Sequence, residues 1–196
     1  TYGYVPSPGS AFQGMRKLPP AHYLLSREGK VEVVRYWRLR RDRKLHRPEA
    51  EWCQEILARL EEAVRLRLIS DVPLGAFLSG GIDSSAVVAM MSRISSGPVK
   101  TFSIGFDEPE YDELRYARLV AERFGTEHHE LVVRPDATAI LPKLAWHYDE
   151  PFGDSSAVPT YYVAQMTRQH VTVALNGDAG DEDFGGYDRY VASLLA

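Results

Sequence analysis

Ser70-Asp71-Val72-Pro73-Leu74-Gly75-Ala76-Phe77-Leu78-Ser79-Gly80-Gly81-Ile82-Asp83-Ser84-Ser85 decides how this chain is read. An apolar run over residues 72–78 stops at Ser79-Gly80-Gly81, and a helical stripe of Ala86, Val87, Met90, Met91 and Ile94 begins at once. A strand, a tight glycine turn and a helix start make an anion site: the first amides of the helix have no partner inside it, and its dipole favours negative charge there. Two glycines allow positive φ and a close approach of backbone to a ligand. Ser79, Ser84 and Ser85 add hydroxyl donors. Asp83 stands out, because a carboxylate beside a phosphate repels it unless a divalent cation lies between them.

The alternative reading of the turn is a helix cap, since Asp and Ser are the usual capping residues and Gly is common in turns. The context favours the phosphate cradle: the motif follows a strand and opens a helix. No Gly-Lys-Ser/Thr occurs in the chain, so this is not a P-loop of the Walker type.

Working outward, 196 residues suffice for one domain with a real core, or a domain plus part of another. Hydrophobic content of 44%, charged content of 26% and a net charge of −4 are those of a soluble globular protein with no reason to bind nucleic acid. The basic run from Arg35 to Arg47 lacks interleaved aromatics and reads as a solvated linker. No stretch approaches the ~20 apolar residues of a membrane span, and no signal peptide is visible. The single cysteine, Cys53, excludes an internal disulfide and suits a reducing cytoplasm. It lies in the helical pattern Trp52, Ile56, Leu57, Leu60, Val64 and Leu68, and reads as a buried structural thiol. The chain opens on Thr1 and stops in an apolar pattern at Ala196, as a piece of a longer protein would.

Residues 1–39 read as short strands and turns, extended at 2–5, with a hairpin of 22–25 and 31–36 around Glu28-Gly29. From residue 49 the pattern alternates: helices at 49–69, 84–95, 112–124, 137–148 and 157–169, strands at 72–78, 99–105, 129–133 and 171–175. This predicts an α/β fold, a mostly parallel sheet flanked by helices. Ligands of such sheets bind at strand carboxyl ends near a switch in strand order. Ser79-Gly80-Gly81, Gly105 and Asn176-Gly177 all follow strands, so one pocket can collect them.

A second cluster, Asn176-Gly177-Asp178-Ala179-Gly180-Asp181-Glu182-Asp183-Phe184-Gly185-Gly186-Tyr187, holds four glycines and four carboxylates in twelve residues. It is either a solvated acidic turn or a functional loop. Beside a phosphate site the acids make sense if Mg²⁺ neutralises them, because Mg²⁺ bridges one or two carboxylates to substrate phosphates. His128-His129-Glu130 is not read as a metal site, since neighbours on a strand point to opposite faces.

The Ser-Gly-Gly-Ile-Asp-Ser-Ser loop resembles the pyrophosphate loop of the ATP-pyrophosphatase superfamily, which cuts ATP between its α- and β-phosphates. With the acidic loop added, the whole chain resembles a glutamine-hydrolysing asparagine synthetase. Residues 12–23 and Arg35-Tyr36-Trp37 resemble the end of that family's glutaminase domain. Residues 70–85, 101–106, Asp149-Glu150-Pro151-Phe152 and 177–187 resemble its synthetase domain. The resemblance implies an adenine nucleotide alpha hydrolase-like fold over residues 49–196, truncated at its C-terminus. A β remnant of an N-terminal nucleophile (glutaminase) domain would cover 1–39, and a linker 40–48.

It further implies ATP and Mg²⁺ as cofactors, aspartate and glutamine-derived ammonia as substrates, and β-aspartyl-AMP as the intermediate. It leaves a homodimer open. The glutaminase cysteine would be the first residue of the mature protein; Cys53 does not fill that role, so no glutaminase activity is expected of this chain. By position, Ser79, Gly80, Gly81, Ser84 and Ser85 resemble the pyrophosphate loop, and Asp83 and Asp181 the pair that holds Mg²⁺–pyrophosphate. Leu78 and Ile104 stand where backbone meets adenine, and Asn176 and Gly177 where the nucleotide is lined. Asp178 stands where a carboxylate takes a proton as ammonia attacks. Residues 149–156, with Asp154 and Ser155, lie where the aspartate pocket begins. Two positions depart from the pattern: Asp183 replaces an apolar residue, where a buried charge would be costly, and Ala179 replaces a common glycine, read as a minor change. The alternatives are a related adenylating amidotransferase or β-lactam-synthetase-like enzyme acting on another carboxylate, and a nucleotide-binding module whose catalysis has decayed.

Overall fold

The computed structural model describes residues 3–40, 44–106, 113–134 and 137–195. Thr1, Tyr2, residues 41–43, 107–112 and 135–136, and Ala196 lie outside them. The chain divides into two compact units, Thr1–Pro48 with Asp136–Val158, and Glu49–Pro135 with Pro159–Ala196.

In the first unit, β1 (His22–Arg27) and β2 (Lys30–Arg35) pair antiparallel, with Arg27 opposite Lys30. Glu28 at φ +48° and Gly29 at φ +74° make the connection, since a two-residue hairpin turn with positive φ at both positions matches the twist of the strands. Residues 3–5 are not a strand: Gly3 turns at φ +75°. Lys17 donates to the Val5 carbonyl at 2.7 Å and pairs with Glu150. α4 (Ala137–Tyr148) buries Ile140 and Leu144, and Tyr148 stacks on Phe152 at 4.3 Å.

The second unit is a four-stranded parallel sheet in the order β5-β4-β3-β6, from β3 (Leu74–Phe77), β4 (Lys100–Phe106), β5 (Glu127–Val133) and β6 (Val173–Leu175). β3 to β5 add in one direction and β6 returns to the other side of β3, so the strand order switches at β3. β3 and β6 are shorter than expected because Pro73 has no amide for a ladder; its carbonyl accepts from Thr172 N–H (3.0 Å).

Alternation along β3 divides the core. Ala76 and Leu78 face α1 (Glu49–Arg67), α2 (Ile82–Ile94) and α3 (Leu114–Phe124), packing with Val64, Val88, Met91 and Ala117. Phe77 faces the other way, with Phe102, Ile104 and the α5 (Ala157–Thr167) residues Val163 and Met166. Helices thus cover both faces. Full burial of side chains such as Leu78, Val88 and Met91 stabilises by roughly 1.5–3 kcal/mol each.

Cys53 is exposed rather than buried. Only the C-terminal half of α1 reaches the core, through Val64 with Leu60 and Leu68 beside it, while Ile56 and Leu57 remain exposed. The acidic stretch read as loop contains α6 (Gly180–Phe184), and α7 (Asp188–Leu195) follows. Asp181, Glu182 and Asp183 all sit in the first turn of α6, where the helix dipole favours carboxylates. No helix of the described residues is long and apolar enough to cross a membrane.

Candidate nucleotide site

The turn after β3 is held from several sides. Gly80 takes φ +86°, and a Cβ there would lie 2.5 Å from Tyr116 Cβ and 2.6 Å from the Ala117 nitrogen. α3 therefore presses on the turn where only glycine fits. Within the turn, Ser79 and Ser84 hydroxyls meet at 2.9 Å, and Gly81 N–H donates to Ser79 Oγ at 3.2 Å. Ser79 N–H donates to Ser84 Oγ at 3.3 Å, and Ser84 Oγ donates to the Gly81 carbonyl at 3.3 Å. Ser84 is buried, and its hydroxyl organises the turn. Ser103 Oγ donates to the Leu78 carbonyl, fixing the end of β3.

Gly81 is the N-cap of α2, and no side chain caps the helix. The reading of the turn as a side-chain helix cap therefore does not hold. The first bond into the helix runs from Ser85 N–H to the Gly81 carbonyl at 3.0 Å, so the amides of residues 82–84 precede the ladder. That is the arrangement in which a helix start receives an anion.

The turn after β6 docks against this one. A Cβ on Gly177 would lie 2.6 Å from the Ser84 nitrogen and 2.9 Å from Asp83 Cβ, and one on Gly180 would lie 2.6 Å from Asp83 Oδ1. Glycine at both positions lets the two turns touch and seats the Asp83 carboxylate against Gly180. Asn176 Nδ2 donates to Asp178 Oδ2 at 2.7 Å, bracing an exposed carboxylate. Ala179 takes φ +74°. The glycine-to-alanine departure is thus not minor: an L-residue in the left-handed region costs roughly 1–2 kcal/mol. Asp183 is exposed, which avoids the cost of burying its charge. Tyr187 OH donates to Glu182 Oε1 at 2.7 Å. That bond holds the Glu182 carboxyl below its ordinary range and raises the Tyr187 phenol.

Three clefts open at these strand ends among the described residues, one of them, about 530 Å³, between α1, α2 and the turn after β6; the other two take up the phosphate turn. One of about 290 Å³ is lined by Ser79, Gly81, Asp83, Ser84, Asn176, Gly177 and Asp178, with Phe77, Thr160 and Val163. One of about 420 Å³ is lined by Leu78, Ser79 and Ile104, with Phe77, Phe102, Ser103, Leu114, Thr160 and Val163 among the others. Most of the expected site residues therefore converge. Four do not line either cleft: Gly80 lies under α3, Ser85 has a buried hydroxyl without a hydrogen-bond partner, and Asp154 and Ser155 belong to the other unit. There they line a cavity of about 1000 Å³. Asp154 accepts from Ser156 N–H at 2.9 Å, a bond that holds its carboxyl below the ordinary range. Asp181 is a fifth: a Cβ on Gly186 would meet its carboxylate. Phe77 and Ser103 join the clefts from inside the stretches 70–85 and 101–106, and Thr160 and Val163 from outside any sequence motif. Thr160 and Val163 stand three apart on one face of α5, but only tertiary packing brings that face to the clefts.

For a hard divalent cation the donor chemistry fits: Asp83 offers carboxylate oxygens beside an uncapped helix start, with Asp178 lining the same cleft. Among the described residues no group of three or more His, Cys, Asp or Glu could hold a metal alone, so a ligand's oxygens would complete the shell. On β5, His128 and Glu130 share one face and His129 and Glu127 the other, as the strand period requires. Burial pushes the His128 imidazole below its ordinary value, and Arg118 holds the Glu130 carboxyl down.

The asparagine synthase family profile matches residues 55–196. The chain belongs to the asparagine synthase family. Over 189 residues it is 44% identical to a Methanocaldococcus jannaschii protein assigned as a glutamine-hydrolysing asparagine synthetase, covering 94% of this chain and 36% of that one. Over 192 residues it is 34% identical to asparagine synthetase [glutamine-hydrolyzing] 1 of Bacillus subtilis, covering 97% and 30%. Over 207 residues it is 35% identical to amidase chyE of Penicillium rubens, covering 94% and 30%. The chain thus spans about a third of the length of these relatives. Among solved structures, the NH3-dependent NAD synthetase of Campylobacter jejuni superposes with a TM-score of 0.45 at 15% identity, covering 68% of this chain and 60% of that one.

Proposed function

We propose that this chain is the synthetase part of a glutamine-hydrolysing asparagine synthetase, which amidates aspartate with ATP through β-aspartyl-AMP and releases AMP and pyrophosphate. One observation carries the reading beyond family membership: the uncapped start of α2, Asp83, and the Asn176–Asp178 turn meet at the carboxyl ends of β3 and β6, on either side of the switch in strand order.

In this reading the adenine lies at the Leu78 and Ile104 backbone and the phosphates at Ser79, Gly81 and the first amides of α2. Those amides point at the oxygens that gain charge as pyrophosphate leaves, a fixed stabilisation needing no reorganisation. Asp83 would hold Mg²⁺ in the cleft, and the ion when bound would neutralise phosphate charge; the Asp181 carboxylate, which lies against Gly186, would have to swing in to join it. Asp178, kept in place by Asn176, takes the proton that ammonia must lose as the amide forms. Asp154 and Ser155 begin the aspartate pocket. Residues 1–39 are the end of the glutaminase domain that supplies ammonia, 40–48 a linker and 49–196 the synthetase domain, in a cytoplasmic protein.

A second reading is an adenylating relative that acts on another carboxylate; it is prompted by a relative at 35% identity whose name is amidase and not asparagine synthetase. Product analysis separates them. In the full-length protein, aspartate should stimulate formation of AMP and pyrophosphate from ATP. Stimulation by another carboxylic acid and not by aspartate selects the second reading; ADP and phosphate as products contradict both.

A further inference from the structure

The phosphate-side and base-side clefts are not separate: Phe77, Ser79, Thr160 and Val163 line both. Anything that joins a base in one to phosphates in the other passes over these four residues. In a nucleotide that joining group is the ribose, which carries two hydroxyls. Phe77 and Val163 offer it only apolar surface. The Ser79 hydroxyl is engaged inside the turn, with Ser84 Oγ at 2.9 Å and Gly81 N–H at 3.2 Å. Thr160 is different. It sits in the first turn of α5, its side chain is exposed, and no hydrogen bond to its hydroxyl exists among the described residues. Its neighbour one turn on, Val163, packs into the core with Phe102, which anchors that face of the helix toward the sheet.

We infer that Thr160 is the residue that recognises the nucleotide's ribose, its hydroxyl hydrogen-bonding a sugar hydroxyl where the two clefts join. The inference rests on the nucleotide reading above and extends it to the sugar. An unengaged hydroxyl at a junction whose other hydroxyl, that of Ser79, is already taken discriminates by leaving a polar group without its partner when the ligand lacks one.

The test is titration calorimetry on the full-length protein and its Thr160→Val and Thr160→Ser variants, with ATP, 2′-deoxy-ATP and 3′-deoxy-ATP. Thr160→Val should weaken ATP binding about 3- to 10-fold, the range of one neutral hydrogen bond. Thr160→Ser should keep the affinity, because it keeps the hydroxyl. For one of the two deoxynucleotides the wild type should already bind as weakly as Thr160→Val binds ATP, and the substitution should then cost nothing more. Unchanged ATP binding in Thr160→Val, or equal weakening for ATP and both analogues, overturns the ribose role while leaving the nucleotide site intact. Absence of ATP binding in the wild type removes the nucleotide reading itself.

Discussion

The turn after β3 puts a glycine, Gly80, in the left-handed region and wedges it under α3. The turn after β6 puts Ala179 in the same region, and no residue of the helix that follows is buried. In the first turn the hydroxyls of Ser79 and Ser84 are tied into bonds with each other and with Gly81; in the second, the carboxylates are exposed or half-buried. In the proposed reading the contrast separates two tasks. Phosphates would be held by backbone amides, which must be rigid to be preorganised. Proton transfer would be done by Asp178 on a turn that carries the strain at Ala179, while Asp83, at the start of α2, would hold the cation between the two.

If that division holds, the largest effect falls on chemistry in the turn after β6. Asp178→Asn should slow amide formation about 10²–10⁴-fold, the usual worth of general-base help, while sparing aspartate-dependent pyrophosphate release. Equal loss of both steps would make Asp178 a brace for the turn instead of a base. Next comes Gly80→Ala, where left-handed strain adds to backbone contacts near 2.5 Å; denaturant titration should show a loss of about 3 kcal/mol or more. The converse substitution, Ala179→Gly, should raise stability by about 1 kcal/mol, the relief of left-handed strain outweighing the freedom that glycine adds to the unfolded chain. A neutral or destabilising result would mean that Ala179 is held by packing, erasing the contrast.

The sheet and the phosphate turn are legible in the order of residues alone. The apolar runs at β3 to β6 are bounded by Gly and Pro, and Ser-Gly-Gly after a strand announces an anion turn. Less legible is whatever depends on a neighbour. Cys53 follows the same helical stripe as Val64, yet only the end of α1 has a core to meet. Thr160 and Val163 look like any helix face until α5 packs on β4. Asp181 lies three residues from Asp178, but its carboxylate sits against Gly186, away from the cleft. The strain at Ala179 needs a φ angle, which no composition reveals.

The smallest expected effect lies outside the two turns and serves as their control. Burial lowers the His128 pKa below its ordinary 6.5, chiefly by desolvation. The unfolded chain therefore binds that proton more readily, and stability present above pH ~6.5 should fall as the pH drops through the folded value. Glu130, held low by Arg118, acts in the same direction at more acid pH. His128→Asn should flatten the first slope and leave ATP affinity unchanged; a coupled loss of affinity would mean that β5 communicates with the site.

The division of labour is tested most directly by titrating ATP into the full-length wild type and Asp83→Asn, with and without Mg²⁺. Asp83 abuts Gly180 of the turn after β6 but starts the helix that follows the turn after β3, so it joins the two. Because its role runs through a cation, the substitution should weaken Mg²⁺-dependent binding far more than metal-free binding, which rests on the amides of α2. Equal losses in the two conditions would contradict the account: Asp83 would then shape the phosphate turn itself, and no cation would link the two loops.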